Sequence, residues 1–136
     1  MTDFPVTVFH NPACGTSRNV VAMVEAAGYR PEVIEYVQAG WTADQLRGLL
    51  AEAGLRPREA LREKDRLAAE LGLLEPGVTD QTLVEAMVAH PALVNRPLVR
   101  TPLGTALCRP SERVFDLLDR RPESFVQEDG DLVSLK

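Results

Sequence analysis

Residues 6–19 have the sequence VTVFHNPACGTSRN, which joins a strand pattern to a helical pattern. Residues 6–10 alternate between apolar and polar character, which predicts a β-strand. A helical pattern begins at Ser17 and ends at Gly28, and a second strand follows over 32–36. Strand, helix and strand over about 30 residues form a βαβ unit, whose two strands are parallel and whose crossover is right-handed.

The rest of the chain predicts a helical block, a pair of strands and a last helix. The predicted elements are a helix that follows a capping box at 42–45 and ends at Gly54, helices over 58–71 and from Asp80 to His90-Pro91, strands over 98–101 and 106–108 around a turn at 102–105, and a helix from Pro110. The acidic tail from Arg121 to Lys136 is expected to pack loosely. This order predicts an α/β, thioredoxin-like fold: a mixed four-stranded sheet with flanking helices and a helical insertion after the first βαβ unit.

Length and composition predict one soluble domain. The chain has 136 residues, 45% of them hydrophobic and 26% charged, which suits a single core. We expect one domain over 1–136 with a helical insert at about 42–95. The net charge of −5 argues against a nucleic-acid partner, and the apolar runs are too short to span a membrane. Residues 1–5 show no signal peptide, so a cytoplasmic location is expected.

Two cysteines, Cys14 and Cys108, exclude some kinds of site. Two thiols in a chain of cytosolic character do not indicate a structural disulfide, and they cannot supply a four-cysteine zinc site. The two histidines, His10 and His90, lack metal-ligand spacing to a cysteine pair, so we expect no metal.

Cys14 lies where a strand meets the start of a helix, which predicts a reactive thiol. Unpaired backbone N–H groups and the helix dipole stabilise an anion there and so lower the pKa of a thiol. His10 and Arg18 are candidates to add positive charge. Arg18 follows Cys14 after three residues, whereas a tyrosine-phosphatase loop needs five. Ser17 stands where a dithiol redox site has its second cysteine, so a resolving thiol must come from elsewhere.

Three arginines are candidate oxyanion ligands: Arg62, Arg96 and Arg109. Each of these arginines, taken singly, is typical of a charged side chain on the solvated surface. Arg96 and Arg109, however, precede prolines at element boundaries, where a loop can direct a side chain toward a site. Guanidinium groups that converge on Cys14 would bind a tetrahedral oxyanion through paired donors. Spacing alone leaves that convergence open.

Three blocks of the sequence resemble the glutaredoxin-coupled arsenate reductases, and the resemblance covers roughly residues 5–130. The blocks are His10-Asn11-Pro12-Ala13-Cys14-Gly15-Thr16-Ser17-Arg18-Asn19, Asn95-Arg96-Pro97-Leu98-Val99, and residues 101–112 with the sequence TPLGTALCRPSE. The resemblance implies these roles: Cys14 as nucleophile, Arg62, Arg96 and Arg109 as ligands of arsenate, His10 and Ser17 as stabilisers of the thiolate, and Pro97 as a cis-proline opposite the cysteine.

Three positions depart from the family pattern. Leu67 and Ala68 stand in a segment that often holds a proline and a tyrosine in the family, and Arg100 stands where we expect an apolar residue. Cys108 is expected to be a packed thiol.

The resemblance also implies a reaction and its partners. Cys14 attacks arsenate, glutathione or another small thiol attacks next, and glutaredoxin supplies the last thiol as arsenite leaves. No bound cofactor is needed. Two alternatives stay open at this stage: a redox-related transcription regulator of the same superfamily that contacts RNA polymerase, and a thiol oxidoreductase that acts on a different oxyanion.

Overall fold

The computed structural model describes residues 4–64 and 66–120, together with the backbone of 124–126 and 132–134. The chain divides into two compact units. The first unit consists of Met1–Glu35 and Arg96–Lys136, and the second is Tyr36–Asn95. The second unit therefore begins six residues before the predicted helical insert and ends with it. That the whole chain folds as one domain stays a prediction.

The first unit contains a four-stranded mixed sheet. Its elements are β1 (Thr7–His10), α1 (Gly15–Ala26), β2 (Glu32–Glu35), β3 (Leu98–Thr101) and β4 (Gly104–Leu107). The strand order is β2-β1-β3-β4, where β1 and β2 are parallel and the other two pairs are antiparallel. The predicted α/β class, the mixed four-stranded sheet and the parallel βαβ unit are confirmed.

The core of the first unit lies between the sheet and α1. Val8 and Val99 pair across β1 and β3 and are fully buried. Paired residues of neighbouring strands project from the same face of the sheet, so both side chains enter the same core. Val20, Met23 and Val24 come from one face of α1 and are also fully buried. Each such side chain contributes about 1.5–3 kcal/mol by leaving water. This packing fixes the start of α1, where Cys14 lies, against the end of β1.

Helix α1 and strand β4 each begin two residues earlier than predicted. Helix α1 begins at Gly15 rather than Ser17, with Cys14 as its N-cap. Strand β4 begins at Gly104, so the predicted four-residue turn is only the pair Pro102-Leu103. The shorter turn is stabilised by Thr101, whose Oγ1 accepts the Leu103 N–H at 3.1 Å. Gly104 has a φ of +149°, which other residues rarely adopt.

The predicted last helix is a 3-10 helix over Ser111–Leu117. Val114 and Phe115 are buried in the core of the first unit, as the apolar pattern indicates. Apolar spacing of three residues suits both helix types, so the pattern does not distinguish them.

The departure at Arg100 is accommodated on the sheet. Arg100 is half-buried on β3, and its guanidinium carbon lies 5.7 Å from the centre of the Phe9 ring. A guanidinium over an aromatic face is attracted by the ring, so the charge is tolerated there.

The second unit is helical. Its helices are α2 (Tyr36–Ala39), α3 (Ala43–Glu52), α4 (Pro57–Ala60), α5 (Arg66–Glu70), α6 (Asp80–Ala89) and a 3-10 helix at Pro91–Leu93. The predicted capping box is present: Thr42 Oγ1 accepts the Gln45 N–H at 3.1 Å, and Gln45 Oε1 accepts the Thr42 N–H at 2.9 Å. Ala68 is fully buried and Leu67 partly, so both departures on α5 are packed.

The predicted helix over 58–71 is interrupted: its ends are helical in α4 and α5, but its middle pairs with a distant segment. The Arg62 N–H donates to Leu93 O at 2.7 Å, and the Asn95 N–H donates to Ala60 O at 2.8 Å. Leu61 and Val94 form an antiparallel bridge between these bonds. The chain is extended at Leu61, which separates α4 from α5.

The prediction of a loosely packed tail falls mainly on residues outside the described ones. The tail contributes β5 (Ser124–Val126) and β6 (Leu132–Ser134), which pair antiparallel. None of the helices in the described part of the chain is long and apolar enough to cross a membrane.

Candidate active site

The site is built at the end of β1 and at the ends of the β3–β4 hairpin. The antiparallel pair of Phe9 with Leu98 places the start of β3 beside the end of β1, which leads to Cys14. The pair of Leu98 with Leu107 places the end of β4 there too. Arg96 precedes β3 and Arg109 follows β4. The sheet therefore brings Cys14, Arg96 and Arg109 to the same end of the first unit.

The loop before α1 is held in one conformation by Asn11. The backbone oxygen of Asn11 accepts the Cys14 N–H at 3.0 Å, and its side-chain oxygen accepts the Ala13 N–H at 2.9 Å. Arg18 donates from Nη1 to Pro12 O at 2.8 Å and so ties the helix to the loop. The sequence patterns above assign no role to Asn11, although an Asn-Pro pair is a turn signal.

Cys14 is the N-cap of α1 and is buried, with 8% of its surface exposed. Its N–H is used by Asn11, so the N–H groups of the first helical turn are the ones that remain to face an anion. The Ser17 N–H interacts with the sulfur. This is the geometry that the sequence predicted for a thiolate at a helix N-terminus.

Two guanidinium groups act on the sulfur. Arg109 Nη1 lies 3.7 Å from Cys14 Sγ and donates to Arg96 O at 2.9 Å. The Arg96 side chain also donates to the sulfur, and Arg96 itself is buried. Hydrogen bonds from charged donors are stronger than neutral ones, and burial reduces their screening. Both arginines therefore stabilise the thiolate form of Cys14.

The pKa of Cys14 reflects opposing causes. Burial raises the pKa, whereas the Ser17 N–H and the hydrogen bonds from Arg96 and Arg109 lower it, to a net value of about 7. Cys108 is fully buried, and its S–H donates to Ala106 O at 3.8 Å. Burial raises the pKa of Cys108 to about 12. Arg113 lowers this pKa to a smaller extent and Asp116 raises it. The two thiols thus differ strongly in their readiness to form a nucleophile.

The backbone N–H of Ser17 interacts with Cys14, whereas the Ser17 hydroxyl bonds to the loop before α1. Ser17 Oγ lies 2.6 Å from His10 Nδ1 and accepts the Asn11 N–H at 3.1 Å. Burial lowers the pKa of His10, Glu35 opposes that effect and Arg18 adds to it. Burial therefore disfavours the positive charge for which the sequence made His10 a candidate, and Glu35 favours it. The contact with Ser17 links His10 to the Cys14 loop.

Pro97 and Arg62 were also predicted for the site. The Arg96–Pro97 peptide bond is cis, and so is the Arg109–Pro110 bond. Pro97 O accepts the Cys108 N–H at 2.9 Å, which joins the two ends of the hairpin. Arg62 belongs to the second unit, where it is buried and donates from Nη1 to Asn95 Oδ1 at 3.1 Å. That Arg62 binds the oxyanion stays a prediction.

No group of three or more His, Cys, Asp or Glu side chains suited to a metal ion occurs in residues 4–64 and 66–120. The chemistry that the described site offers is that of a thiolate beside two guanidinium groups. Such a site can attract a tetrahedral oxyanion and attack its central atom.

Comparisons with known proteins agree with this chemistry. The ArsC family model matches residues 9–117. Arsenate reductase ArsI1 of Synechocystis sp. is 58% identical over 134 residues, which are 98% of this chain and 93% of that protein. The arsenate reductase of Escherichia coli K12 is 46% identical over 94% of this chain and 92% of that protein. The structure of arsenate reductase from Vibrio cholerae matches with a TM-score of 0.81 and 34% identity, over 86% of this chain and 100% of that one. The chain therefore belongs to the ArsC family.

Proposed function

We propose that this protein reduces arsenate to arsenite, with Cys14 as the nucleophile. The observation that carries the proposal is the contact of the Cys14 sulfur with Arg109 at 3.7 Å, in a site where the pKa of the thiol is about 7. An oxyanion with an electrophilic centre suits this arrangement, because the cations that hold the thiolate also offset the charge on the oxygens. Relatives named arsenate reductase at 46% to 58% identity support arsenate as that oxyanion.

The first step forms a bond between Cys14 sulfur and arsenic. The thiolate attacks As(V), and one arsenate oxygen takes up protons and leaves as water. Arg96 and Arg109 donate hydrogen bonds toward the site and lower the free energy of the more highly charged transition state. The N–H groups at the start of α1 add to this stabilisation.

The later steps need two more thiols from outside the chain. Ser17 stands where a dithiol enzyme has its second cysteine, and Cys108 is fully buried with a pKa of about 12. Glutathione, or another small thiol, attacks the Cys14–arsenic adduct and displaces a second oxygen as water. The thiol of glutaredoxin then attacks the glutathione sulfur, which forms a mixed disulfide and leaves the electron pair on arsenic as As(III). Water cleaves the Cys14–As(III) bond, which releases arsenite and frees Cys14. Over the cycle two thiols lose two electrons and two protons to form a disulfide, and arsenic passes from As(V) to As(III).

The same proposal assigns the remaining features. Arg62 serves as a third ligand of the oxyanion, Pro97 shapes the wall opposite Cys14, and His10 and Ser17 support the thiolate. The chain acts as one domain in the cytoplasm, where small thiols are kept reduced. It holds no bound cofactor, and its reductants are co-substrates.

The test is arsenate-dependent oxidation of NADPH in the presence of glutathione, glutaredoxin and glutathione reductase. We expect turnover that requires both glutathione and glutaredoxin. Parallel reactions with thioredoxin and thioredoxin reductase, or with a different small thiol, identify the reductant. Absence of arsenite production with every one of these donors would overturn the proposed function.

A further inference from the structure

The feature that points beyond the Cys14 centre is Glu35, at the end of the edge strand β2. In the parallel register of β1 and β2, Glu35 lies directly opposite His10. Opposed residues of neighbouring strands project from the same face, on backbones about 4.8 Å apart. Strand β2 is an edge strand in the order β2-β1-β3-β4, and Glu35 is exposed. An exposed carboxylate thus lies beside a buried imidazole.

The His10 ring is linked to the Cys14 loop by a hydrogen-bond contact with the Ser17 hydroxyl. Its Nδ1 lies 2.6 Å from Ser17 Oγ, and that hydroxyl also accepts the Asn11 N–H. Asn11 in turn accepts the Cys14 N–H, and the Ser17 N–H acts on the sulfur. The protonation of His10 therefore affects both the charge near Cys14 and the hydrogen bonds that position it.

The charged groups that act on the His10 ring come from two elements. Glu35 on β2 favours its protonated form, and Arg18 on α1 opposes it. Toward β3 the register ends at the apolar pair Phe9 and Leu98. Arg96 and Arg109 act on the Cys14 sulfur. Glu35 is thus the carboxylate that offsets burial at His10.

We propose that Glu35 is a positioning residue for Cys14: its carboxylate, opposite His10 in the sheet register, favours a proton on His10, and His10 transmits this through Ser17 to the thiolate. The inference rests on the proposed function only in treating Cys14 as the nucleophile. A protonated His10 adds a positive charge beside the loop and so extends the thiolate form of Cys14 to lower pH.

Glu35→Gln tests the proposal, because it removes the charge and keeps the shape. The pKa of His10 should fall by roughly half a unit, as expected for one partly solvated charge several ångströms away. The pKa of Cys14 should rise slightly. Direct loss of a negative charge near the sulfur would have the opposite sign, so the direction distinguishes transmission through His10 from simple electrostatics. Glu35→Asp should keep both values closer to those of the parent protein.

The readouts are the proton NMR titration of the two histidines and the pH dependence of alkylation of Cys14, both on the resting protein without arsenate. His90 is exposed in the second unit and serves as an internal reference. Glu32→Gln is the matched control, since Glu32 is exposed on the same strand but lies opposite Thr7.

An unchanged His10 titration in Glu35→Gln would overturn the proposal. A shifted His10 titration with an unchanged or lowered pKa of Cys14 would overturn the link to the thiolate. Because neither measurement uses arsenate, both shifts in a protein that fails to reduce arsenate would support Glu35 while rejecting the proposed function.

Discussion

Arg109 lies with its Nη1 atom 3.7 Å from the sulfur of Cys14, across 95 positions of sequence. The same nitrogen donates to Arg96 O at 2.9 Å, so the guanidinium joins the Cys14 thiol to the segment that precedes β3. This contact connects the strand-to-helix loop with the β3–β4 hairpin. Reactivity of Cys14 therefore depends on the sheet register as well as on the helix N-terminus.

Cys14 should react as a thiolate near neutral pH. With a pKa of about 7, half of Cys14 is thiolate at that pH, and below it the rate of alkylation falls about tenfold per pH unit. Cys108, with a pKa of about 12, should stay unmodified over the same range. Iodoacetamide labelling from pH 5 to 9 followed by peptide mass spectrometry measures both. Equal titration of the two thiols near pH 8.5 would contradict the assigned environment of Cys14.

Arg109→Lys should raise the pKa of Cys14 and lower arsenate reduction by about tenfold or more. Lysine keeps the charge, but it lacks the second amino group of the planar guanidinium, so it cannot contact Arg96 O and the sulfur through one nitrogen and offer a further planar donor to an oxyanion. Alkylation and turnover should change in parallel.

The matched control for that variant is Arg113→Lys. Arg113 is an exposed arginine on the 3-10 helix that begins just after Arg109. It should keep the parent activity. If Arg109→Lys also behaved like the parent protein, the contact with Cys14 would have no part in the reaction.

Ser17→Ala should separate the hydroxyl of Ser17 from its backbone N–H. The backbone donor to Cys14 remains, so the pKa of Cys14 should rise by less than in Arg109→Lys. The Asn11 N–H and His10 Nδ1 lose their partner, which should lower the free energy of unfolding by about 1–3 kcal/mol. Urea unfolding and thiol alkylation measure the two effects. A larger rise of the pKa than in Arg109→Lys would show that the hydroxyl itself stabilises the thiolate.

Thr42→Ala should lower stability without affecting the Cys14 centre. It removes the side-chain acceptor of the Gln45 N–H and leaves one half of the capping box, at a cost of about 1 kcal/mol. The free energy of unfolding should fall by that amount while the alkylation profile of Cys14 stays the same. A shift of that profile would mean that the Cys14 thiol depends on the α3 cap.

Local signals predicted the parts of the fold that local interactions determine. The alternation over 6–10 correctly predicted β1, and the Thr42–Gln45 capping box correctly predicted the start of α3. These elements depend on neighbouring residues, which a pattern of two or four residues detects. The position of Cys14 between β1 and α1 followed from the same signals.

Pairing between distant segments is what the patterns missed. The break at Leu61 comes from its bridge to Val94, and no periodicity over 58–71 records a partner so far along the chain. The convergence of Arg96 and Arg109 does have a signal in the sequence. Both flank the hairpin, and each lies six residues outside the observed turn at Pro102-Leu103, so antiparallel pairing brings them together. Their approach to Cys14 required the further pairing of β1 with β3.

The most direct test of the account is arsenite production by three proteins under the same glutathione and glutaredoxin supply: the parent chain, Cys14→Ser and Cys108→Ala. Arsenite is measured itself, by chromatography coupled to mass spectrometry. We expect the parent chain and Cys108→Ala to form arsenite at similar rates and Cys14→Ser to form none above the reaction without protein. Arsenite formation by Cys14→Ser, or its loss in a folded Cys108→Ala, would contradict a mechanism that uses Cys14 alone and takes its other thiols from solution.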